Sequence, residues 1–449
     1  MAGGTDTIVA CATADGRGAL ATIRISGARA MPIARALGVP PLERRRATRV
    51  VLRDARGATL DDALVTWFSA PHSFTGENVV ELSTHGGRVT PARVLAACVA
   101  AGARPALPGE FTRRAVLNGK LDMVQAEAIG DLIDARTVAQ QQHALTQLDG
   151  GLSRRILALR DDVIQLEALI AYDIDFPEED DGPIAPARIA HAAHALCDAL
   201  DALLATAPRA ARLRDGALVV IAGPPNAGKS SLFNALLGES RALVTPIAGT
   251  TRDAIDALLD RTPTPLRLVD TAGLRDTDDT LERLGIEVST RYLAEAQVVL
   301  ACGASAADVA LATTAVAPLT SATVLPVYTK ADLRAPDAPT DRAWHLVSAE
   351  HGTGLRALLE ALDQAVAEGE RGGVQEDAVL VTRERHQRAL REAREEITLF
   401  LDGWSVGELP APVAAVHLHA ARDTLSELVG AIGVEDILDR VFADFCIGK

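Results

Sequence analysis

The stretch ALVVIAGPPNAGKSSLFNALLG, residues 217–238, constrains this 449-residue chain more than any other. An apolar run of strand-forming residues leads into Gly223-Pro224-Pro225-Asn226-Ala227-Gly228-Lys229-Ser230, and an apolar helical run follows. This is GxxxxGK[ST] in the strand-loop-helix setting that gives it meaning. Backbone N–H groups and the helix N-terminus wrap phosphates, Lys229 reaches the β- and γ-oxygens, and the Ser230 hydroxyl suits Mg²⁺. Asn226, Ala227, Gly228 and Ser231 complete that phosphate-binding set. Between about 215 and 375 strands alternate with helices, as in a parallel sheet covered on both faces.

Further along, LRLVDTAGLR is a strand ending on Asp270, suited to hold Mg²⁺ through water. Thr271, Ala272 and Gly273 follow, whose backbone can sense a γ-phosphate. TPIAGTTRD supplies Thr245, Pro246, Ile247, Ala248, Gly249, Thr250 and Thr251 as a switch loop, with Thr251 the second hydroxyl on Mg²⁺. VLPVYTKAD resembles a guanine-reading NKxD box: Asp332 accepts from the guanine N1 and N2 hydrogens, and Lys330 lies along the base. In LVSAEHG, Ser348 and Ala349 fall in the loop whose backbone N–H meets guanine O6. Thr329 stands where asparagine is usual, which leaves one base contact or one loop brace open. Leu274 occupies the place of the water-orienting glutamine of Ras-type proteins. An apolar side chain cannot polarise a nucleophile, so hydrolysis recruits another group, and carboxylates lie nearby in RDTDDTLERLGIE.

Residues 1–118 alternate strand-like runs (TIVACAT, ALATIRISG, ALVTWFSA, NVVELSTHGG) with helical ones and read as a compact α+β domain. Residues 119–212 are helical in pattern. Leu152, Ile156, Leu159, Val163, Leu166 and Ile170 recur at three- and four-residue steps along one helix face, and the acidic DIDFPEEDDG interrupts the pattern as a solvated loop. Helical periods return over 377–449. A helical block on each side of the α/β stretch 213–376 points to a discontinuous helical domain with an α/β P-loop GTPase (Ras-like) domain inserted in it.

Five scattered cysteines without a CxxC read as reduced thiols, and no run of 18 apolar residues occurs, so the expectation is a cytoplasmic protein with no membrane anchor. The net charge of −15 argues against a grip on nucleic acid over the whole surface. The charge is uneven: residues 1–120 hold 16 Lys+Arg and 9 Asp+Glu, net +7, against 29 and 51, net −22, in the remainder. Of the 45 basic residues only four are lysine, Lys120, Lys229, Lys330 and Lys449, which singles these out as places where a compact ammonium is needed.

The stretches PGEFTRRAVLNGKLDMVQAEAIGDLI, GPPNAGKSSLFNALLG, IAGTTRDAI, DTAGLR and the terminal CIGK resemble the MnmE (TrmE) family of tRNA modification GTPases, of the TrmE-Era-EngA type, over the whole chain. The resemblance implies a folate-binding N-terminal domain that forms a homodimer, and G domains that meet across their nucleotides in a K⁺-dependent way. Asn226, Thr245, Ile247 and Thr250 match the positions around that K⁺. Glu282 matches the acidic residue that orients the attacking water; on residues alone it reads as a helix-surface carboxylate.

The implied work is done with a flavoprotein partner, MnmG (GidA), in a heterotetramer. It installs an aminomethyl or carboxymethylaminomethyl group on C5 of the wobble uridine of certain tRNAs. The one-carbon unit comes from a tetrahydrofolate derivative (5-formyl- or 5,10-methylene-tetrahydrofolate), and the partner brings FAD and NADH. The implied folate site uses Arg24, Glu81, Lys120 and Lys449. Arg24 and Glu81 by themselves read equally as a strand ion pair. Cys446 is either a chemical participant or an inert buried thiol. Two rivals predict otherwise: a regulatory GTPase that senses folate leaves tRNA unchanged when Glu81 or Lys120 is replaced, and a ribosome-assembly GTPase binds no folate. CIGK lacks the final residue and basic lead-in of a prenylation signal and reads as an arm reaching the folate pocket.

Overall fold

The computed structural model describes residues 6–175, 185–238, 255–260, 264–270, 290–333, 344–370, 379–406, 411–430 and 448. They divide into two compact units, each drawn from separated stretches of chain: Met1–Ile133, Gln147–Cys197 and Glu392–Lys449 in one, Asp134–Thr146 and Asp198–Arg391 in the other.

In the first unit, strands β1 (Ile8–Cys11), β2 (Leu20–Ser26), β3 (Thr48–Arg53), β4 (Thr59–Phe68), β5 (Val79–His85) and β6 (Arg104–Pro105) form a sheet in the order β3-β4-β5-β2-β1-β6. All pairs are antiparallel except β1 with β6. Period-2 alternation sends Ile23, Ile25, Val65 and Leu82 to a face covered by the helices Ala30–Ala36 and Thr90–Ala100. Ile8 and Ala10 point to the other face, where Phe111 and Phe74 pack on them. The strand β3 is absent from the expectations above. Its inward residues Val50 and Leu52 are buried while Arg49, Val51 and Arg53 face out at the sheet edge, so an outward row that mixes valine with two arginines breaks the alternation and masks a short half-buried strand.

The helical expectation is met by Met123–Asp134, Val138–Leu148, Gly151–Asp175, Pro186–Leu204 and Ala207–Asp215, and after the α/β stretch by Glu384–Val406 and Ala411–Leu428. Leu152, Ile156, Leu159, Val163, Leu166 and Ile170 are all buried along the 25-residue helix Gly151–Asp175. It packs within the first unit on Ala411–Leu428, which buries Leu418, Ala421, Leu425 and Leu428. Arg422 bonds Glu167 across that seam at 3.2 Å. The helix carries the first three residues of the expected acidic loop; residues 176–184 lie outside the described residues.

In the second unit, β7 (Ala217–Ala222), β8 (Ile255–Leu259), β9 (Leu266–Asp270), β10 (Val298–Gly303), β11 (Thr323–Tyr328) and β12 (His345–Leu346) lie in the order β12-β11-β10-β7-β9-β8, parallel throughout but for β8. Every residue of β7 and β10 is buried because both faces are covered. Val219, Ile221 and Leu300 pack on the helices Lys229–Leu237 and Leu355–Glu370. Val220 and Val299 pack on the side that holds Ala306–Val316. No helix among the described residues is long and apolar enough to cross a membrane.

Candidate functional site: a phosphate loop, a base pocket and an aromatic-flanked ion pair

The carboxyl ends of β7, β9 and β11 converge on one edge of the parallel sheet, the usual place for a ligand in such folds. Residue 223 leaves β7 at φ 153, where a Cβ would run into the Cys302 carbonyl oxygen, so only glycine fits there. Asn226 adopts φ 61, and Gly228 caps the helix Lys229–Leu237 in the left-handed region. The loop thus bends back on itself before the helix N-terminus. Lys229 is 6% exposed, and its Nζ donates to the Gly223 and Pro224 carbonyls at 3.0 and 2.8 Å. The Ser230 hydroxyl donates to Asp270 Oδ2 at 2.7 Å. A hydroxyl and a buried carboxylate side by side at a phosphate loop are the hard oxygen donors that Mg²⁺ takes.

A cavity of about 150 Å³ lies beside this loop, lined among others by Gly228, Ser231, Thr329, Lys330, Asp332 and Ala349. The Thr329 hydroxyl lies 2.6 Å from the Ala227 carbonyl oxygen and 3.0 Å from that of Gly303. Lys330 Nζ donates to the Asn226 carbonyl at 2.9 Å. The loop brace left open by threonine at 329 is therefore present. Asp332 is exposed in the cavity lining; a hydrogen bond from the buried Ser348 hydroxyl, its own backbone N–H and the nearby Lys330 ammonium hold its carboxyl below the usual carboxylate range. Ser348 also accepts from the His351 N–H at 3.2 Å. That role for Ser348 was invisible in sequence, since it needs the β11 and β12 ends side by side. Thr245, Pro246, Ile247, Ala248, Gly249, Thr250, Thr251, Thr271, Ala272, Gly273, Leu274 and Glu282 lie outside the described residues.

In the first unit the register of β2 on β5 sets Arg24 directly opposite Glu81. Arg24 Nε and one terminal nitrogen reach Glu81 Oε1 at 2.9 and 2.8 Å. The guanidinium also lies 5.4 Å from the Phe74 ring centre and 5.7 Å from that of Phe111. The pair is both a strand ion pair and a charged centre flanked by aromatic rings, a setting suited to a flat heterocycle. Phe74 escaped the sequence reasoning because only the fold brings its loop over β2. That loop also holds Gly76, where a Cβ would sit 3.2 Å from Lys120 Cγ, so Lys120 runs past the same loop. Lys120 lines a second cavity of about 360 Å³ with Gln125, Leu157 and Gly430.

Gly448 is buried at φ 101 against the end of β1: a Cβ there would run into the Cys11 carbonyl and come within 2.9 Å of Ala12 Cα. The CIGK stretch thus needs its glycine for close approach to the strand next to Arg24. Cys446 and Lys449 lie outside the described residues. Beneath the site, Arg104 and Arg114 bind Asp6 and Glu110, and Arg114 also binds Glu77, all at 2.6 to 3.1 Å. Burial alone would raise the Glu110 carboxyl, but hydrogen bonds from Arg104, the Leu107 N–H and Arg114 outweigh it and hold it below its ordinary value.

Two family models match the chain: the MnmE helical domain over residues 123–446, and the GTP-binding protein TrmE N-terminus over residues 7–120. The tRNA modification GTPase MnmE of Azoarcus sp. is 44% identical over 451 residues, spanning 99% of this chain and 98% of the relative. That of Ralstonia nicotianae is 42% identical over 468 residues, with 99% and 97% covered. That of Neisseria meningitidis serogroup C is 41% identical over 456 residues, with 100% of each chain covered.

Proposed function

This chain belongs to the MnmE family of tRNA modification GTPases, and from that membership we propose that it works with a flavoprotein of the MnmG (GidA) kind to modify C5 of the wobble uridine. GTP hydrolysis in the service of tRNA modification is the family's activity. The added group is carboxymethylaminomethyl or aminomethyl, its carbon drawn from a tetrahydrofolate one-carbon unit, with FAD and NADH on the partner. Domain bounds of 1–118, 119–212 with 377–449, and 213–376 accompany this reading, as does a cytoplasmic homodimer that joins the partner in a heterotetramer.

The observation that carries it is the coexistence of two unlike sites: the braced phosphate loop with Asp332 at its base pocket, and the Arg24–Glu81 pair between Phe74 and Phe111. At the first, Lys229 trades the loop carbonyls for phosphate oxygens, while Ser230, Asp270 and Thr251 would hold Mg²⁺. That ion neutralises phosphate charge when bound. Thr271 to Gly273 sense the γ-phosphate, and Asp332 and Ala349 read guanine. At the second, Glu81 would accept from the amino edge of a pterin, while Lys120 and Lys449 would meet the folate carboxylates; Cys446 is either a chemical participant beside the carbon carrier or an inert thiol. GTP turnover moves domains and leaves the carbon chemistry to the folate site.

Since Leu274 cannot orient water, Glu282 would take that task, and Asn226, Thr245, Ile247 and Thr250 would hold K⁺, which supplies positive charge to the reaction when bound. GTP turnover should accordingly be faster in K⁺ than in Na⁺, and equal rates would remove the K⁺ site. The function itself is tested by mass analysis of wobble uridines in tRNA from cells lacking this protein. Loss of the C5 group is expected, with no recovery on supplying the Glu81→Gln form. Unchanged uridines would refute the reading.

A further inference from the structure

We infer that the base pocket recognises guanine without a hydrogen bond to N7, because Thr329 commits its single hydroxyl hydrogen to the phosphate loop. The inference rests on the guanine-nucleotide reading of the cavity beside Gly228.

Thr329 directly follows β11 and is 4% exposed, so its polar atoms must find partners inside the protein. Its N–H donates to the Gly303 carbonyl at 2.9 Å. The hydroxyl lies between two acceptors, Ala227 O at 2.6 Å and Gly303 O at 3.0 Å. The contact to Ala227 O is the shorter by 0.4 Å and takes the hydroxyl hydrogen, and the alternative, Gly303 O, would consume it equally. A hydroxyl has one hydrogen, and once it is given away the group can only accept. Guanine N7 is itself an acceptor. Thr329 therefore has nothing to offer N7, although it lines the pocket. The carboxylates of Asp332 and Glu350, also in the lining, cannot donate either. Lys330 holds the Asn226 carbonyl at 2.9 Å and so belongs to the same brace.

The strut joins the residue just before the Gly228 cap to the segment after β11 that carries Lys330 and Asp332. Its task is to fix the distance between the phosphate loop and the base-reading segment, while discrimination falls to the Watson–Crick edge that Asp332 faces. Thr329 is thus a positioning residue. An asparagine in its place has two amide hydrogens and could keep Ala227 O while giving the second to N7.

Dissociation constants of the full chain for GDP, 7-deaza-GDP and ADP, measured by titration calorimetry, test this. The wild type should bind GDP and 7-deaza-GDP within about twofold of each other, and T329N should favour GDP by about fivefold, the worth of one added hydrogen bond. T329V should weaken both guanine nucleotides by the same factor, and T329S should restore both. A wild type that favours GDP over 7-deaza-GDP by fivefold, through Lys330, Ser231 or any other donor, overturns the inference, as does a T329N that gains no preference. These two measurements stand even if T329V fails to fold. ADP bound as tightly as GDP would instead overturn the guanine reading itself.

Discussion

On the guanine reading proposed above, Asp332 selects the base, and its setting explains how an exposed carboxylate would do so. The Ser348 hydroxyl and the nearby Lys330 ammonium keep it ionised, and an ionised carboxylate is acceptor-only. Two guanine N–H donors satisfy it, whereas adenine would face it with an acceptor and leave it unpaired. Asp332→Asn should weaken GDP binding by roughly 100-fold and improve binding of xanthosine diphosphate, whose extra carbonyl suits an amide donor. Ser348→Ala leaves the carboxylate in place but less well held, for a loss of about tenfold or less. Titration calorimetry with the two nucleotides checks both, and an unchanged GDP affinity in Asp332→Asn would contradict the assignment. At this scale the phosphate loop and Asp332 were legible because their chemistry is local. The outcome at Thr329 was not legible: whether a hydroxyl can replace an amide as a brace depends on how closely Ala227 and Gly303 approach from two other parts of the chain.

The helix Glu110–Leu117 shows how an element is held in place by charge as well as by its buried Phe111. Glu110, 8% exposed, joins Arg104 at the sheet edge to Arg114 one helical turn on, and Asp6 closes the ring. Arg104 and Arg114 keep Asp6 and Glu77 as partners when Glu110 is removed, so Glu110→Ala should cost roughly 1–3 kcal/mol of unfolding free energy rather than the full penalty of a stranded charge. Asp6 and Glu110 both sit below their ordinary values, their arginine hydrogen bonds outweighing burial. Carboxyls lowered in this way contribute stability that is full above their unfolded values, about pH 4 to 4.5, and is lost as pH falls through the folded ones. Chemical denaturation across that range should show wild-type stability falling steeply on acidification and the Glu110→Gln curve falling less; parallel curves would remove the network as the cause. Elements were legible where one period dominated, as in Gly151–Asp175 with its buried stripe from Leu152 to Ile170. They were not where burial is one-sided and short, as in β3, while the non-local packing of Gly151–Asp175 on Ala411–Leu428 was legible only at the level of one helical domain split by the α/β stretch, not as a pair of helices.

For the whole molecule, an acidic chain that serves tRNA presents a conflict of charge, and the structure sharpens it. The +7 of residues 1–120 suggests a phosphate-binding region, yet Arg24, Arg46, Arg49, Arg104 and Arg114 are each engaged by carboxylates. The exposed pairs Arg46–Glu43 and Arg49–Asp62 are weak and could open, but each leaves its acid behind to repel a phosphate. Of the other eleven cationic side chains in this stretch, Arg17 and Arg88 line a surface cavity of about 730 Å³ with Gly16, Gly18, Gly86 and Gly87, the one place among the described residues where two of them converge on a cavity. Each phosphate neutralised steepens the salt dependence by about 0.7 to 0.9, so three or four contacts give a log–log slope of only about −3. The full chain alone should therefore bind tRNA weakly and with a slope no steeper than this, while addition of the flavoprotein partner should raise both affinity and slope. Filter binding across a KCl series measures the two quantities together. Tight binding by the chain alone, with a slope near −6 or beyond, would mean that the −22 of the remaining residues is arranged to leave a continuous basic track, and the division of labour with the partner would fall.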